Sequence, residues 1–166
     1  MVSRRSVLSS IASFVTAASA TAIAFAEEKV KFLNRGFFLR LFGDCATPEP
    51  RDGGCWSYSS GTVSLDVARA PELKAQSGAV RLEGRGLPNR VLVVHCEDGQ
   101  FRAMKNACTH MGRRLDPVPG TATVQCCSIG RSTYDYQGRS LYGPGKSPAT
   151  FYAVHPENGR LLISVS

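Results

Sequence analysis

The sequence predicts an all-β domain, and three observations predict it. Short β-branched and aromatic runs recur downstream of residue 62, turn dipeptides separate them, and no apolar-periodic stretch is long enough for a sustained helix. Residues 79–82 are a strand candidate. Residues 90–95 are a β-branched run that turns at Glu97-Asp98-Gly99 into 101–105, which makes a hairpin. Residues 121–125 form another strand, 134–136 turn at Gln137-Gly138 into 139–142, and 151–155 turn at Glu157-Asn158-Gly159 into 161–165. Only Pro71-Glu72-Leu73-Lys74 suggests a helical turn, because proline is pre-set for a first helical position. The expected architecture is an antiparallel β-sandwich of hairpins.

The chain ahead of these strands reads differently. Arg4 and Arg5 precede a mildly apolar, alanine-rich run to Ala26, and Ala24-Phe25-Ala26 places small residues two apart before Glu27. This resembles a twin-arginine export signal with a peptidase site, and implies a periplasmic location. An uncleaved run would instead act as a membrane anchor, since 7–26 approaches the ~20 residues needed to span a bilayer. Residues 43–61 are rich in Gly, Pro, Ser and Asp and read as loop. The expected organisation is a signal at 1–26, an extension or linker at 27–61, and one domain at 62–166.

Of 166 residues, 43% are hydrophobic and 20% charged, a globular balance that excludes disorder. The net charge of +7 falls by two to +5 when Arg4 and Arg5 leave with the signal. The remaining cations are scattered singly, without the dense basic runs and interleaved aromatics of nucleic-acid binders, so no nucleic-acid partner is expected. Their functional reading is docking to a redox partner with an acidic surface. Six cysteines in an exported chain invite a disulfide, and Cys45–Cys55 is the most plausible bridge by position.

The chemistry concentrates in two short segments. Cys108-Thr109-His110-Met111-Gly112 lies between two hairpins, and sixteen residues separate His110 from Cys127, which opens Cys127-Ser128-Ile129-Gly130-Arg131-Ser132-Thr133-Tyr134-Asp135. The first resembles ligand loop one of the Rieske proteins, Cys-x-His-x-Gly, and the second resembles loop two, Cys-x-x-His-Gly-Ser-x-(Phe/Tyr)-Asp. The resemblance covers roughly residues 62–166. It implies a Rieske-like fold with a small cluster-binding subdomain formed by the two loops, a [2Fe–2S] cluster, and an electron-transfer role as a carrier or a small oxidoreductase subunit. In that family two thiolates hold one iron and two imidazoles the other. The implied ligands are Cys108, His110 and Cys127. Ser132 and Tyr134 fall where the family places hydroxyls near a sulfide and a ligand sulfur. Gly143-Pro144-Gly145 resembles the proline loop that covers the cluster.

One ligand is missing. Counted back from Tyr134-Asp135, the second histidine should stand at 130, which is glycine; counted from Cys126, it should stand at Ile129. The quinol-oxidising members also carry an extra cysteine in each loop and join the two, and the matching positions here are Arg113 and Ile129. Cys126, His95, His155, Ser128, Ser132 or solvent could supply the fourth donor. A thiolate there would lower the potential from the Rieske range of roughly −150 to +300 mV toward the roughly −400 mV of plant-type ferredoxins. The alternative is a binding or assembly module that keeps the fold without a cluster, or with zinc, which accepts mixed Cys/His sites.

Overall fold

The computed structural model describes residues 45–166. The expected export signal and most of the extension lie outside the described residues.

Eleven strands make up almost all the regular structure there: β1 (Trp56–Ser59), β2 (Thr62–Asp66), β3 (Ala79–Leu82), β4 (Val91–His95), β5 (Phe101–Lys105), β6 (Leu115–Val118), β7 (Thr123–Cys126), β8 (Thr133–Asp135), β9 (Ser140–Tyr142), β10 (Phe151–Glu157) and β11 (Arg160–Ser164). Two single 3-10 turns, Gly53–Cys55 and Pro71–Leu73, complete it. Every pairing is antiparallel, and the all-β expectation is met. The larger sheet runs β1-β2-β11-β10-β5-β4-β3 and the smaller β6-β7-β8-β9.

β10 links the two halves of the larger sheet, because its first residues pair with β5 and its last five with β11. The halves pack face to face. Val63, Leu65, Leu161 and Ile163 from one meet Val80, Leu82, Val91 and Val93 from the other in a single core. Successive side chains on a strand point to opposite faces, so β4 serves two cores at once. Val91 and Val93 enter the sandwich, while Leu92 and Val94 pack with Leu115, Val124 and Tyr134 of the smaller sheet. A strand buried on both faces reads as a continuous apolar run, which is how Val91-Leu92-Val93-Val94 appears in the sequence.

Three strands, β1, β2 and β6, escaped the sequence reading. Part of the expected linker, 45–61, belongs to the domain: β1 lies there and pairs with β2 through Ser60 and Gly61, both at positive φ. Such a turn matches the twist of a hairpin, so the Ser/Gly signal is correct as a turn and conceals the short strand beside it. β6 contains Asp116 and Pro117, residues that disfavour strands; it is tolerated because β6 is the edge of the smaller sheet.

Candidate metal-sulfur centre

The smaller sheet carries the site between its strand ends. Loop one leaves β5 and turns at residues 108–112. The Cys108 N–H donates to the Arg113 carbonyl at 2.6 Å, the Gly112 N–H to the Cys108 carbonyl at 2.8 Å, and Gly112 takes φ +65, which favours glycine. Buried Asn106 fixes the base of the loop, since its side-chain oxygen accepts from the Leu115 N–H at 2.6 Å. Arg90 reaches from the start of β4 to donate to the Gly112 carbonyl. Loop two joins β7 to β8, closed by the Cys126 N–H donating to the Ser132 carbonyl at 2.8 Å and tied to loop one by Cys127 N–H to Arg114 carbonyl at 3.0 Å.

A third turn closes over both. The Gly145 N–H donates to Ser132 Oγ at 2.8 Å, and a Cβ on Gly145 would lie 2.0 Å from the Tyr134 hydroxyl. Glycine is therefore required there by space.

Cys108 and Cys126 are buried, and their thiols interact directly. The Tyr134 hydroxyl lies 3.4 Å from Cys108 Sγ and 2.8 Å from Thr109 Oγ1, which in turn donates to the Ser147 carbonyl. Burial pushes the Cys108 thiol up, but hydrogen bonds from Tyr134, the His110 N–H, Ser132 and Cys126 outweigh it and hold Cys108 below the usual thiol range. Burial and the negative partner push Cys126 the other way, to about 11, against the Ser128 hydroxyl 3.2 Å from its sulfur. The two thiols are thus shifted in opposite directions, and the Tyr134 and Ser128 hydroxyls lie within hydrogen-bond reach of their sulfurs. Tyr134 is itself raised by burial and by Cys108, so it stays a neutral donor.

The expected ligand Cys127 is not in this group. It is disulfide-bonded to Cys45, with Cα atoms 5.6 Å apart. Neighbouring residues at the end of a strand face opposite ways, so Cys126 turns inward to Cys108 and Cys127 outward. The expected Cys45–Cys55 bridge is replaced by the same bond: Cys55 is a free thiol in the sandwich core. Cys126, rather than Cys127, is the loop-two cysteine that neighbours Cys108. Asp116 lies beside the disulfide, but those two sulfurs are bonded to each other and offer no thiolate. Its carboxylate instead accepts from the Ala46 and Thr47 N–H groups at 2.6 and 3.2 Å, and so holds the segment that carries Cys45.

His110 stands exposed on loop one. The second imidazole has no substitute among the other histidines. His95 Nδ1 lies 2.9 Å from the Leu73 carbonyl and its ring stacks on Phe101, and exposed His155 belongs to β10. In the frame set by Cys126 the missing histidine is Ile129, which is 66% exposed. In the other frame it is Gly130, where a Cβ would meet the Pro144 ring at 2.9 Å, so that place is filled by the third turn.

Two buried, facing thiols ringed by hydroxyl and amide donors define a protein that holds a metal-sulfur centre. The comparisons with known proteins make the class particular. The Rieske [2Fe-2S] domain matches residues 64–154, and the chain belongs to that family, whose cofactor is a [2Fe–2S] cluster. Its fold is similar to the plasma membrane Rieske protein PetC3 from Synechocystis PCC 6803, at 23% identity, 52% of this chain, 85% of that chain and TM-score 0.44. It is also similar to the ferredoxin of carbazole 1,9a-dioxygenase from Nocardioides aromaticivorans IC177, at 18% identity, 55% and 88% coverage, and TM-score 0.47. The search of the curated proteins finds no match. The donor set suits the sulfur-ligated half of the cluster in full and the imidazole half in part: Cys108, Cys126 and His110 are present, and the fourth protein ligand is not histidine.

Proposed function

We propose that the chain is an exported Rieske-type electron-transfer protein, a periplasmic carrier or the small subunit of an oxidoreductase. Cys108, Cys126 and His110 would hold the cluster, which supplies reversible one-electron chemistry when bound. The observation that carries this reading is the pairing of the Cys108 and Cys126 thiols beneath Tyr134 and Ser132. Tyr134 and the backbone amides of the loops orient the sulfurs, and the third turn, seated on Ser132, keeps water from the pair. Hydrogen bonds to the ligand sulfurs stabilise added negative charge and tune the potential. The Ser128 hydroxyl lies 3.2 Å from Cys126 Sγ, and it or solvent would complete the coordination. Cys55 lies in the sandwich core, and Cys96, though in the same core cluster as the pair, lines a cavity with Glu97, Asp98, Arg102 and Tyr136; with no third thiolate at the pair, the potential need not fall to the ferredoxin range.

The twin-arginine pattern at Arg4 and Arg5 supports export. Exposed cations around the loops support a redox partner with an acidic surface. The test is electron paramagnetic resonance of the dithionite-reduced protein with a redox titration. A reversible one-electron couple and a reduced-cluster signal are expected. A colourless, iron-free protein that stays folded in chelator would refute this reading and favour the second one, a cluster-free or zinc-bearing module, for which the missing imidazole speaks.

A further inference from the structure

A third donor flanks the Cys45–Cys127 disulfide. Asp116 offers a carboxylate oxygen, and that oxygen and the two sulfurs all lie within 4.8 Å of one another. Three parts of the chain meet there: the segment ahead of β1, the edge strand β6 and the start of loop two. None of the three residues is fully buried, so solvent reaches the group.

The backbone positions both protein arms of this group. The Asp116 oxygens accept from the Ala46 N–H at 2.6 Å and the Thr47 N–H at 3.2 Å, the two amides that follow Cys45. Each carboxylate oxygen keeps a lone pair beyond the one an amide uses, so it can still bind a cation. Amides that hold a ligating carboxylate in place are the support a metal site needs. Asp116 pairs across the smaller sheet with Gln125, and Cys127, two residues further, is its diagonal neighbour on the same face. The Cys127 N–H, donating to the Arg114 carbonyl at 3.0 Å, keeps it against the start of β6.

We propose that Cys45, Asp116 and Cys127, once the disulfide is reduced, form a second metal site that takes a thiophilic divalent cation, zinc foremost. Two thiolates, one carboxylate oxygen and one water make a tetrahedral mixed site, whereas calcium and magnesium call for oxygen alone. Bonds of ~2.3 Å to sulfur and ~2.0–2.2 Å to oxygen set the donors of such a tetrahedron roughly 3.5–4 Å apart. The trio is gathered closely enough to reach that spacing by small side-chain rotations. The exchange balances. A dithiol reductant gives two electrons to the S–S bond, which opens to two thiols while the reductant closes to its own disulfide. Zinc then displaces two protons and binds the two thiolates. A disulfide oxidant reverses this by taking two electrons, so that the Cys45–Cys127 bond reforms and the zinc leaves. Bond and metal are thus alternative fasteners for the same two segments. Under the export reading, a chain that folds before it leaves a reducing compartment, where disulfides are rare, would be fastened by the metal first.

The test counts zinc per chain by mass spectrometry on the full chain, oxidised or reduced anaerobically with a phosphine, after equilibration in a zinc buffer. The set is the wild type, Cys45→Ser, Asp116→Asn, Cys126→Ser and Cys55→Ser, with circular dichroism for folding and iron counted on the same samples. One zinc more is expected in reduced than in oxidised wild type, released again when oxidised glutathione reforms the bond. That increment should vanish in Cys45→Ser, bind at least about tenfold more weakly in Asp116→Asn, and persist in Cys126→Ser and Cys55→Ser. Asp116→Asn keeps both cysteines and their bond, so it reports on the site independently of any folding defect in Cys45→Ser. No increment on reduction, an increment kept by Cys45→Ser or lost from Cys126→Ser or Cys55→Ser, undiminished affinity in Asp116→Asn, or zinc retained through oxidation would overturn the proposal. The iron count is read separately, so failure here with iron intact leaves the electron-transfer reading standing.

Discussion

The thiols of Cys108 and Cys126 meet between the two loops, while Cys127, the next residue, is bonded outward to Cys45. The two neighbours have opposite tasks. One faces the site, and the other fastens loop two to a segment 82 residues earlier. Family members that oxidise quinols brace the loops to each other; here the second loop is braced to the N-terminal side of the domain. That segment is held further by Asp116 and by Arg81, whose guanidinium donates to the Thr47 carbonyl and pairs with Glu49 at 3.1 Å.

Removing this brace should lower stability substantially. A disulfide closing so long a loop restricts the unfolded chain, and its loss typically costs about 2–5 kcal/mol. Cys45→Ala with Cys127→Ala is expected to shift the urea midpoint down by that equivalent, while Cys55→Ala, a free thiol, reports only its cavity. An unchanged midpoint in the double variant would show that the bond carries no load.

Tyr134→Phe removes the hydroxyl 3.4 Å from Cys108 Sγ and keeps the buried ring. A hydrogen bond to sulfur favours the more negative, reduced state, so its loss should lower the midpoint potential. A net bond of 0.5–1.5 kcal/mol corresponds to roughly 20–60 mV for one electron. Redox titration of the variant would read this directly. A rise would mean that the hydroxyl does not donate to the sulfur.

Asp135 supports the turn below the site. Burial alone would raise its carboxyl, but the Arg139 guanidinium and the N–H groups of Arg139 and Gln137 outweigh this and hold it below its ordinary value of 3.8. A carboxylate depressed in the folded state contributes stability that is present above the unfolded value and lost as pH falls through the folded one. Stability should therefore decline below about pH 4 in the wild type. In Asp135→Asn it should be lower at neutral pH and show a shallower acid limb, measured as urea midpoints from pH 2 to 7. Parallel curves would exclude Asp135 from the linkage.

The hairpins were legible because alternation and turn residues are local signals. The 97–99 turn between β4 and β5 and the 157–159 turn between β10 and β11 fall where they were expected. β6 was not, since Pro117 is tolerated only by an edge that the sequence does not declare. The site was legible in its loops, and the ligand register proposed here differs from the sequence reading by one residue. Cys126-Cys127 offers two registers, and the spacing back from Tyr134-Asp135 selects Cys127. The facing of the strand end selects Cys126, and the extra residue is absorbed in loop two, where Arg131 takes φ +44. The disulfide partner was hidden for the same reason: 82 residues of separation leave no local trace, whereas Cys55 was merely near.

The central claim is that Cys108 and Cys126 hold the iron-sulfur centre and that Cys127 does not. Iron and acid-labile sulfide per chain in Cys126→Ser and Cys127→Ser, beside the wild type, test it most directly. The account predicts about two of each per chain in the wild type, as a [2Fe–2S] centre requires. It predicts none in Cys126→Ser, and a content near wild type in folded Cys127→Ser. Iron kept by Cys126→Ser and lost from folded Cys127→Ser would contradict it.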